Sequence, residues 1–138
     1  MTIEVKKQNL FGCAYDRYLA HCISADYALG AGIAVEFQKR YYLRDVLKQR
    51  GTGAYPDCIL IASVFNLVTK EKYWDKPTYQ SLRQALQKMK DIVVKNDIKK
   101  IAMPKIGCGL DRLSWPKVRE IVESIFADTD IDILVCYM

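Results

Sequence analysis

The sequence predicts an α/β domain, a largely parallel or mixed β-sheet sandwiched between layers of helices. Three observations carry that expectation. Short apolar runs rich in β-branched residues alternate along the chain with longer segments of helical period. The runs are apolar on both sides, as strands covered on both faces must be. At 138 residues the chain fits one ordinary domain, which buries roughly two thirds of its unfolded surface; residues 1–138 are therefore read as a single domain.

In chain order, TIEVKK alternates Ile3 and Val5 and reads as a short strand, and LAHCIS at 19–24 reads as a second. The glycine loop Gly30-Ala31-Gly32 opens a segment whose apolar positions are Ile33, Val35, Phe37, Tyr41 and Leu43. Its length and the stop at Gly51 favour helix, split near Tyr41-Tyr42. CILIASVFNLVT at 58–69 is too long for one buried strand and is read as two, joined at about Ser63-Val64. The next segment places Leu82, Leu86, Met89 and Val93 on one helical face, with Pro77 in the tolerant first turn. A strand from Ile101 to Met103 is stopped by Pro104, and the loop Ile106–Asp111 follows. Ser114 and Pro116 then mark a helix with the stripe Val118, Ile121, Ile125 and Phe126, and IDILVCYM closes the chain as a strand.

Composition excludes several classes. Hydrophobic residues make up 51% and charged residues 27%, with seven Gly and four Pro, so neither disorder nor a fibrous repeat is indicated. The start MTIEVKKQNLFG lacks a signal-peptide pattern, and no apolar stretch approaches the ~18 residues that span a bilayer. A soluble protein with no membrane partner is expected. Cys13, Cys22, Cys58, Cys108 and Cys136 are odd in number and lack CxxC spacing, which argues against a disulfide framework and a zinc cluster and for a cytoplasmic setting. No metal or cofactor is expected. The net charge of +5 is scattered as pairs such as Lys6-Lys7 and Lys99-Lys100, which suits an anionic small ligand as well as nucleic acid.

Ligands of such sheets bind at the carboxyl ends of the strands, so the loops after strands carry the candidates. Gly30 and Gly32 precede a helix, where free N–H groups and the helix dipole favour an anion; a plain strand-to-helix turn explains them nearly as well. Neither a dinucleotide fingerprint nor a P-loop is completed. Ile106-Gly107-Cys108-Gly109-Leu110-Asp111 repeats the arrangement at a second strand end, so two glycine loops could grip a diphosphate from opposite sides. Asp111 could be a catalytic carboxylate or, like Ser114, the cap of the next helix. Lys70 leaves the end of a buried strand with Lys72 and Glu71 beside it; it is either a nucleophile able to shed its proton or an ordinary strand-end lysine. His21, the one histidine, lies among apolar neighbours and suits a core or pocket-wall role better than that of a base. Cys108 has no histidine to activate it and reads as a small residue whose backbone N–H matters.

Three blocks, AHCISADYALGAGIAVEFQKRY, LVTKEKYWDKPTYQSL and MPKIGCGLDRLSWPKV, together resemble the macrodomain family, in the branch typified by terminal ADP-ribose protein glycohydrolase. The resemblance runs from about Leu10 to Met138. It implies a three-layer α/β/α sandwich with a mixed central sheet and a cleft for ADP-ribose. It also implies that Lys70 attacks the anomeric carbon of the distal ribose, expelling an esterified carboxylate, and that Asp111 resolves the adduct as acid/base. By the same matching, Thr69 and the segment Lys105, Ile106, Gly107, Cys108, Gly109, Leu110 line the distal ribose and phosphates. Gly30, Ala31, Gly32 and Ile33 form the other phosphate wall, Leu10 and Met138 flank the adenosine, and His21 and Ser24 fall at pocket positions. The implied partner is ADP-ribose or an ADP-ribosylated substrate, protein first and nucleic acid as the alternative, bound by a monomer. One residue departs from the family pattern: Asn9 stands where an aspartate commonly accepts a hydrogen bond from the adenine amine, so charge assistance there is lost. The alternatives are a non-catalytic reader of ADP-ribose marks and, more weakly, a phosphatase.

Overall fold

The computed structural model describes residues 1–51 and 53–138. Six strands, β1 (Thr2–Lys7), β2 (Tyr18–Ser24), β3 (Asp57–Ile61), β4 (Val64–Lys70), β5 (Lys100–Met103) and β6 (Asp132–Tyr137), form one sheet in the order β1-β6-β5-β2-β4-β3. Every neighbouring pair is parallel except β3 with β4, so the sheet is mixed, as expected. The exception arises in the apolar run 58–69, where Ala62 and Ser63 both take positive φ, 49° and 63°. Two such residues in succession suit the tight turn that matches the twist of a hairpin.

Helices α1 (Ile33–Tyr41) and α2 (Leu43–Gln49) cover one face of the sheet, and α3 (Tyr79–Lys95) and α4 (Trp115–Phe126) cover the other. The break between α1 and α2 is Tyr42, left-handed at φ 53°. Period two along the strands divides the core in two. Phe65, Leu67, Ile101, Met103, Ile133 and Val135 meet Leu82, Leu86, Met89, Val118, Val122 and Phe126, while Leu19, Ile23, Val64, Val68, Ala102 and Leu134 meet Phe37, Leu43, Leu47 and a 3-10 turn at Leu10–Cys13. Each such side chain gains about 1.5–3 kcal/mol on burial, and truncating one, as in Leu86→Ala, costs about 2–5 kcal/mol.

One boundary differs from expectation. Pro77 is not in the first turn of α3 but ahead of it, because Thr78 caps the helix. Its hydroxyl accepts the Ser81 N–H at 3.0 Å, and the Ser81 hydroxyl in turn accepts the Thr78 N–H at 3.0 Å. For α4 the expected markers hold, with Ser114 at the cap position and Pro116 in the first two helical positions. All five cysteines are free; Cys13 and Cys136 face each other at 4.0 Å between sulfurs. Among the described residues no cluster of His, Cys, Asp and Glu could hold a metal, and no helix is long and apolar enough to cross a membrane.

Candidate active site

The parallel strands β5, β2 and β4 are neighbours with β2 in the middle, so their carboxyl ends deliver three loops to one edge. These loops span residues 25–32, 71–78 and 104–114. Just before the end of β4 the register with β2 slips: Ile23 faces Val68 but Ser24 faces Lys70, leaving Thr69 as an extra residue. Bulges of this kind re-aim side chains beside active sites. Beyond it, Lys70 Nζ donates to Asp111 Oδ1 at 2.7 Å, with each side chain 14% exposed. Asp111 therefore serves no helix cap: Ser114 holds that position, and the carboxylate reaches back to the lysine. An ion pair this short and mostly buried is stronger than a surface pair, and a small part of each side chain stays exposed.

The two glycine loops touch. Gly32 has φ 60° and ψ −147°, a region only glycine occupies at low cost, and a Cβ there would stand 3.3 Å from Leu110 Cδ1 in the other loop. Gly107, at φ 72°, is equally specific, since a Cβ would meet Leu113 Cδ1 at 2.9 Å. The Cys108 N–H closes this turn on the Lys105 carbonyl at 3.1 Å, so that donor, expected to face a ligand, is engaged internally. The N–H groups of Gly109, Leu110 and Asp111 meet no carbonyl among the described residues, nor do those of Ile33 and Ala34 at the start of α1, while the Val35 N–H donates to the Gly32 carbonyl at 3.2 Å. Free amides on two touching loops make an anion cradle. Lys76 Nζ straps the third loop to this cradle through the Leu110 carbonyl at 2.9 Å.

Sequence reading missed Asp26. Its Oδ1 accepts from the Ser24 hydroxyl at 2.5 Å and the Ala28 N–H at 3.1 Å, and its Oδ2 accepts from the Tyr73 N–H at 2.9 Å. Burial opposes ionisation, but the bonds from Ser24, Tyr73 and Ala28 and the charge of Lys72 outweigh it and hold the carboxyl below its ordinary value. The one signal was local: an aspartate accepting the N–H two residues on is a common turn device. Two thiols near the ion pair are poor nucleophiles. Burial, and then the charge of Asp111, pushes Cys22 up to about 12, and burial also raises Cys108 against the opposing pull of Lys105.

The other expected site residues follow the same strand ends but differ in access. Asn9 and Leu10 follow β1, and Met138 follows β6. Asn9 is exposed and its Oδ1 accepts the Phe11 N–H at 3.0 Å, capping the 3-10 turn; Met138 is exposed, while Leu10 is buried in the core beneath α1. Ile33 and Leu110 present apolar surface at the two loops, and Lys105 lies over the Tyr137 ring at 5.0 Å. Ile106 and Thr69 are buried, and the Thr69 hydroxyl has no hydrogen-bond partner. His21 corrects the pocket expectation. It is 0% exposed, stacked on Phe37 at 3.9 Å between centroids and bonded through Nε2 to Asn66 Oδ1 at 2.6 Å. Mid-strand residues have no loop above them, so His21 belongs to the core. Burial lowers its pKa to about 4 against the opposing Asn66 bond, which leaves it neutral at pH 7.

Sheet order, strand-end site and paired glycine loops define a class of protein, and comparison with known proteins identifies it. The Macro domain family model matches residues 52–122, and the chain belongs to that family. It is 41% identical over 132 residues to ADP-ribose glycohydrolase OARD1 of Bos taurus, covering 94% of this chain and 87% of that one. The Homo sapiens protein of the same name is 40% identical over the same shares. Among solved structures, the macrodomain of Thermus aquaticus DarG superposes with a TM-score of 0.85 at 16% identity, covering 99% of both chains. Thermosipho africanus DarTG, solved in complex with ADP-ribose, gives 0.80 at 16% identity over 98% of this chain and 41% of that one. At such identities these two structures speak for the fold.

Proposed function

We propose that this protein is an ADP-ribosyl hydrolase that releases ADP-ribose from the ester it forms with an acidic side chain and, by the same chemistry, removes the acetyl group of O-acetyl-ADP-ribose. The observation that carries the reading is the Lys70–Asp111 pair, 2.7 Å apart beside two touching glycine loops. The name of the relatives at about 40% identity over 94% of the chain supports it. The diphosphate lies in the cradle, on the free amides of Gly109 and Leu110 and the start of α1, which sets the distal ribose against Lys70.

Proton transfer along the ion pair leaves Lys70 an amine and Asp111 an acid. The amine forms a bond to the anomeric carbon while the bond from that carbon to the ester oxygen breaks, and Asp111 gives its proton to the departing carboxyl group. Asp111, again a carboxylate, then takes a proton from water. The new oxygen–carbon bond forms, the carbon–nitrogen bond breaks with its pair returning to Nζ, and the proton passes back from Asp111 to Lys70. ADP-ribose leaves and the resting pair is restored. The protein acts as a cytoplasmic monomer on protein-linked ADP-ribose; the +5 charge also suits nucleic-acid substrates.

Mixing the enzyme with glutamate-linked ADP-ribosyl peptide is expected to release free ADP-ribose. Lys70→Ala is expected to stop release while still binding ADP-ribose in calorimetry; a Lys70→Ala enzyme that turns over normally would sink the covalent route. A second reading, a non-catalytic reader of ADP-ribose marks, is favoured by one observation: the cradle is complete without Lys70. Tight binding with no turnover on ester-linked, DNA-linked or acetylated substrates selects it.

A further inference from the structure

We propose that Asp26 is a positioning residue that holds the backbone of Lys70 for attack, an inference that rests on the hydrolase reading. Lys70 is the last residue of β4, and its pairing with Ser24 is the last in the ladder. On the near side its carbonyl is held by the Ala25 N–H at 2.9 Å. On the far side the chain enters the loop 71–78, whose bonds between Lys72 and Asp75 are internal to the loop. Apart from the bonds of Thr78 to the first turn of α3, two hydrogen bonds among the described residues tie this loop to the rest of the molecule. They are Lys76 to the Leu110 carbonyl and the Tyr73 N–H to Asp26 Oδ2.

Asp26 thus joins three points that surround Lys70: Ser24 opposite it in the sheet, Ala28 on the way to the first glycine loop, and Tyr73 three residues beyond it. It bonds to neither Lys70 nor Asp111, so it acts through the backbone. The need for such a clamp is physical. A lysine side chain is long and rotamer-rich, and a displacement of about 1 Å at a reacting atom costs on the order of 100-fold in rate.

The test is Asp26→Asn. An amide has one accepting oxygen, and Oδ1 already serves two donors, so the oxygen stays with Ser24 and Ala28 and the NH2 group meets the Tyr73 N–H, donor against donor. The expected result on glutamate-linked substrate is a fall in kcat of about 10- to 100-fold, with KM and ADP-ribose Kd changed less than about threefold. Amide exchange at Tyr73 is expected to accelerate about 10-fold or more while core strands stay protected. Tyr73→Pro deletes the same bond from its other partner, on an exposed loop, and is expected to reproduce the fall in kcat should Asp26→Asn fold poorly. Either variant keeping kcat within twofold of wild type overturns the proposal, as does a loss of ADP-ribose affinity as large as the loss of kcat. A wild-type protein with no turnover refutes the hydrolase reading instead, and Tyr73 exchange in Asp26→Asn then still decides whether Asp26 anchors the loop.

Discussion

Strand β4 carries one member of each of two polar pairs, and the pairs have opposite fates. Asn66 at mid-strand meets His21 at 2.6 Å, and Lys70 at the strand's end meets Asp111 at 2.7 Å. The first pair is sealed beneath Phe37, and Asn66 completes its bonding through Nδ2 to the carbonyls of Ile59 and Val64. A buried polar group must find its partners inside the protein; Asn66 does so in full and His21 through Nε2, its Nδ1 meeting none, and full burial closes the pair to a ligand. The second lies where the sheet stops and loops diverge, and each partner keeps part of its side chain exposed. Histidine is the residue type most often used for proton transfer, and lysine is usually a surface charge. Place along the strand leaves the histidine sealed in the core and sets the lysine at the strand-end site.

The largest effects separate the pairs. Lys70→Ala is expected to lower kcat on ester-linked substrate by about 10⁴-fold and Asp111→Asn by about 10²- to 10⁴-fold, measured in single-turnover assays. Asn66→Ala, by contrast, is expected to keep kcat within about threefold but to cost about 1–3 kcal/mol in urea unfolding, because it orphans the His21 ring. An Asn66→Ala enzyme as inactive as Lys70→Ala would erase the distinction drawn between the two positions.

The sealed pair also predicts a pH dependence. His21 is held neutral with a pKa of about 4, against an ordinary value of 6.5. Between those values the unfolded chain takes a proton that the folded chain refuses, so stability falls as pH drops from 6.5 towards 4 and is regained as pH rises. The contribution is about 3 kcal/mol across that window, by about 1.4 kcal/mol per pH unit. Urea titrations at successive pH values should show this slope in the wild type and its loss in His21→Gln. A wild type as flat as the variant would mean that His21 is not refused its proton.

Much of the fold was written in local pattern. Short apolar runs marked the strands and period 3.6 marked α3 and α4, while α1 and α2 were read from length and the stop at Gly51; the long run 58–69 showed two strands because no single buried strand is that long. Strand order was not legible, since β1-β6-β5-β2-β4-β3 depends on which faces close over which helices. Of the site, the two glycine loops and Lys70 were visible as strand-end features, but nothing local joined Lys70 to Asp111. On local grounds Asp111 was as good a helix cap as Ser114, and only three-dimensional proximity chose between them. Asp26 escaped because its partners are mainly backbone N–H groups, which leave no mark on residue type. His21 was legible as a core or wall residue, and its mid-strand register with Asn66 decided for the core.

A comparison within one glycine loop gives a smaller effect. Gly32 has φ 60° and would drive a Cβ against Leu110, whereas a Cβ on Gly30 would meet only the Ala28 carbonyl at 3.9 Å. Gly32→Ala is therefore expected to destabilise by about 1–3 kcal/mol, and Gly30→Ala by less than about 0.5 kcal/mol. Thermal unfolding of the two variants measures the difference. Equal losses would mean that the φ of Gly32 is not what fixes the loop.

The smallest expected effect lies at Asn9, at the far end of the same sheet edge. The side-chain oxygen of Asn9 already accepts the Phe11 N–H, and its other terminal atom is a donor. An adenine amine placed there would meet a donor or share an occupied oxygen. Aspartate caps a turn as well as asparagine, so Asn9→Asp should leave the 3-10 turn intact and supply a second, charged acceptor. Calorimetry is expected to show ADP-ribose bound about fivefold tighter, near 1 kcal/mol, with no gain for the inosine analogue, whose ring lacks the amine. An equal gain for both ligands would trace the effect to general charge, and no gain would place the adenine away from Asn9.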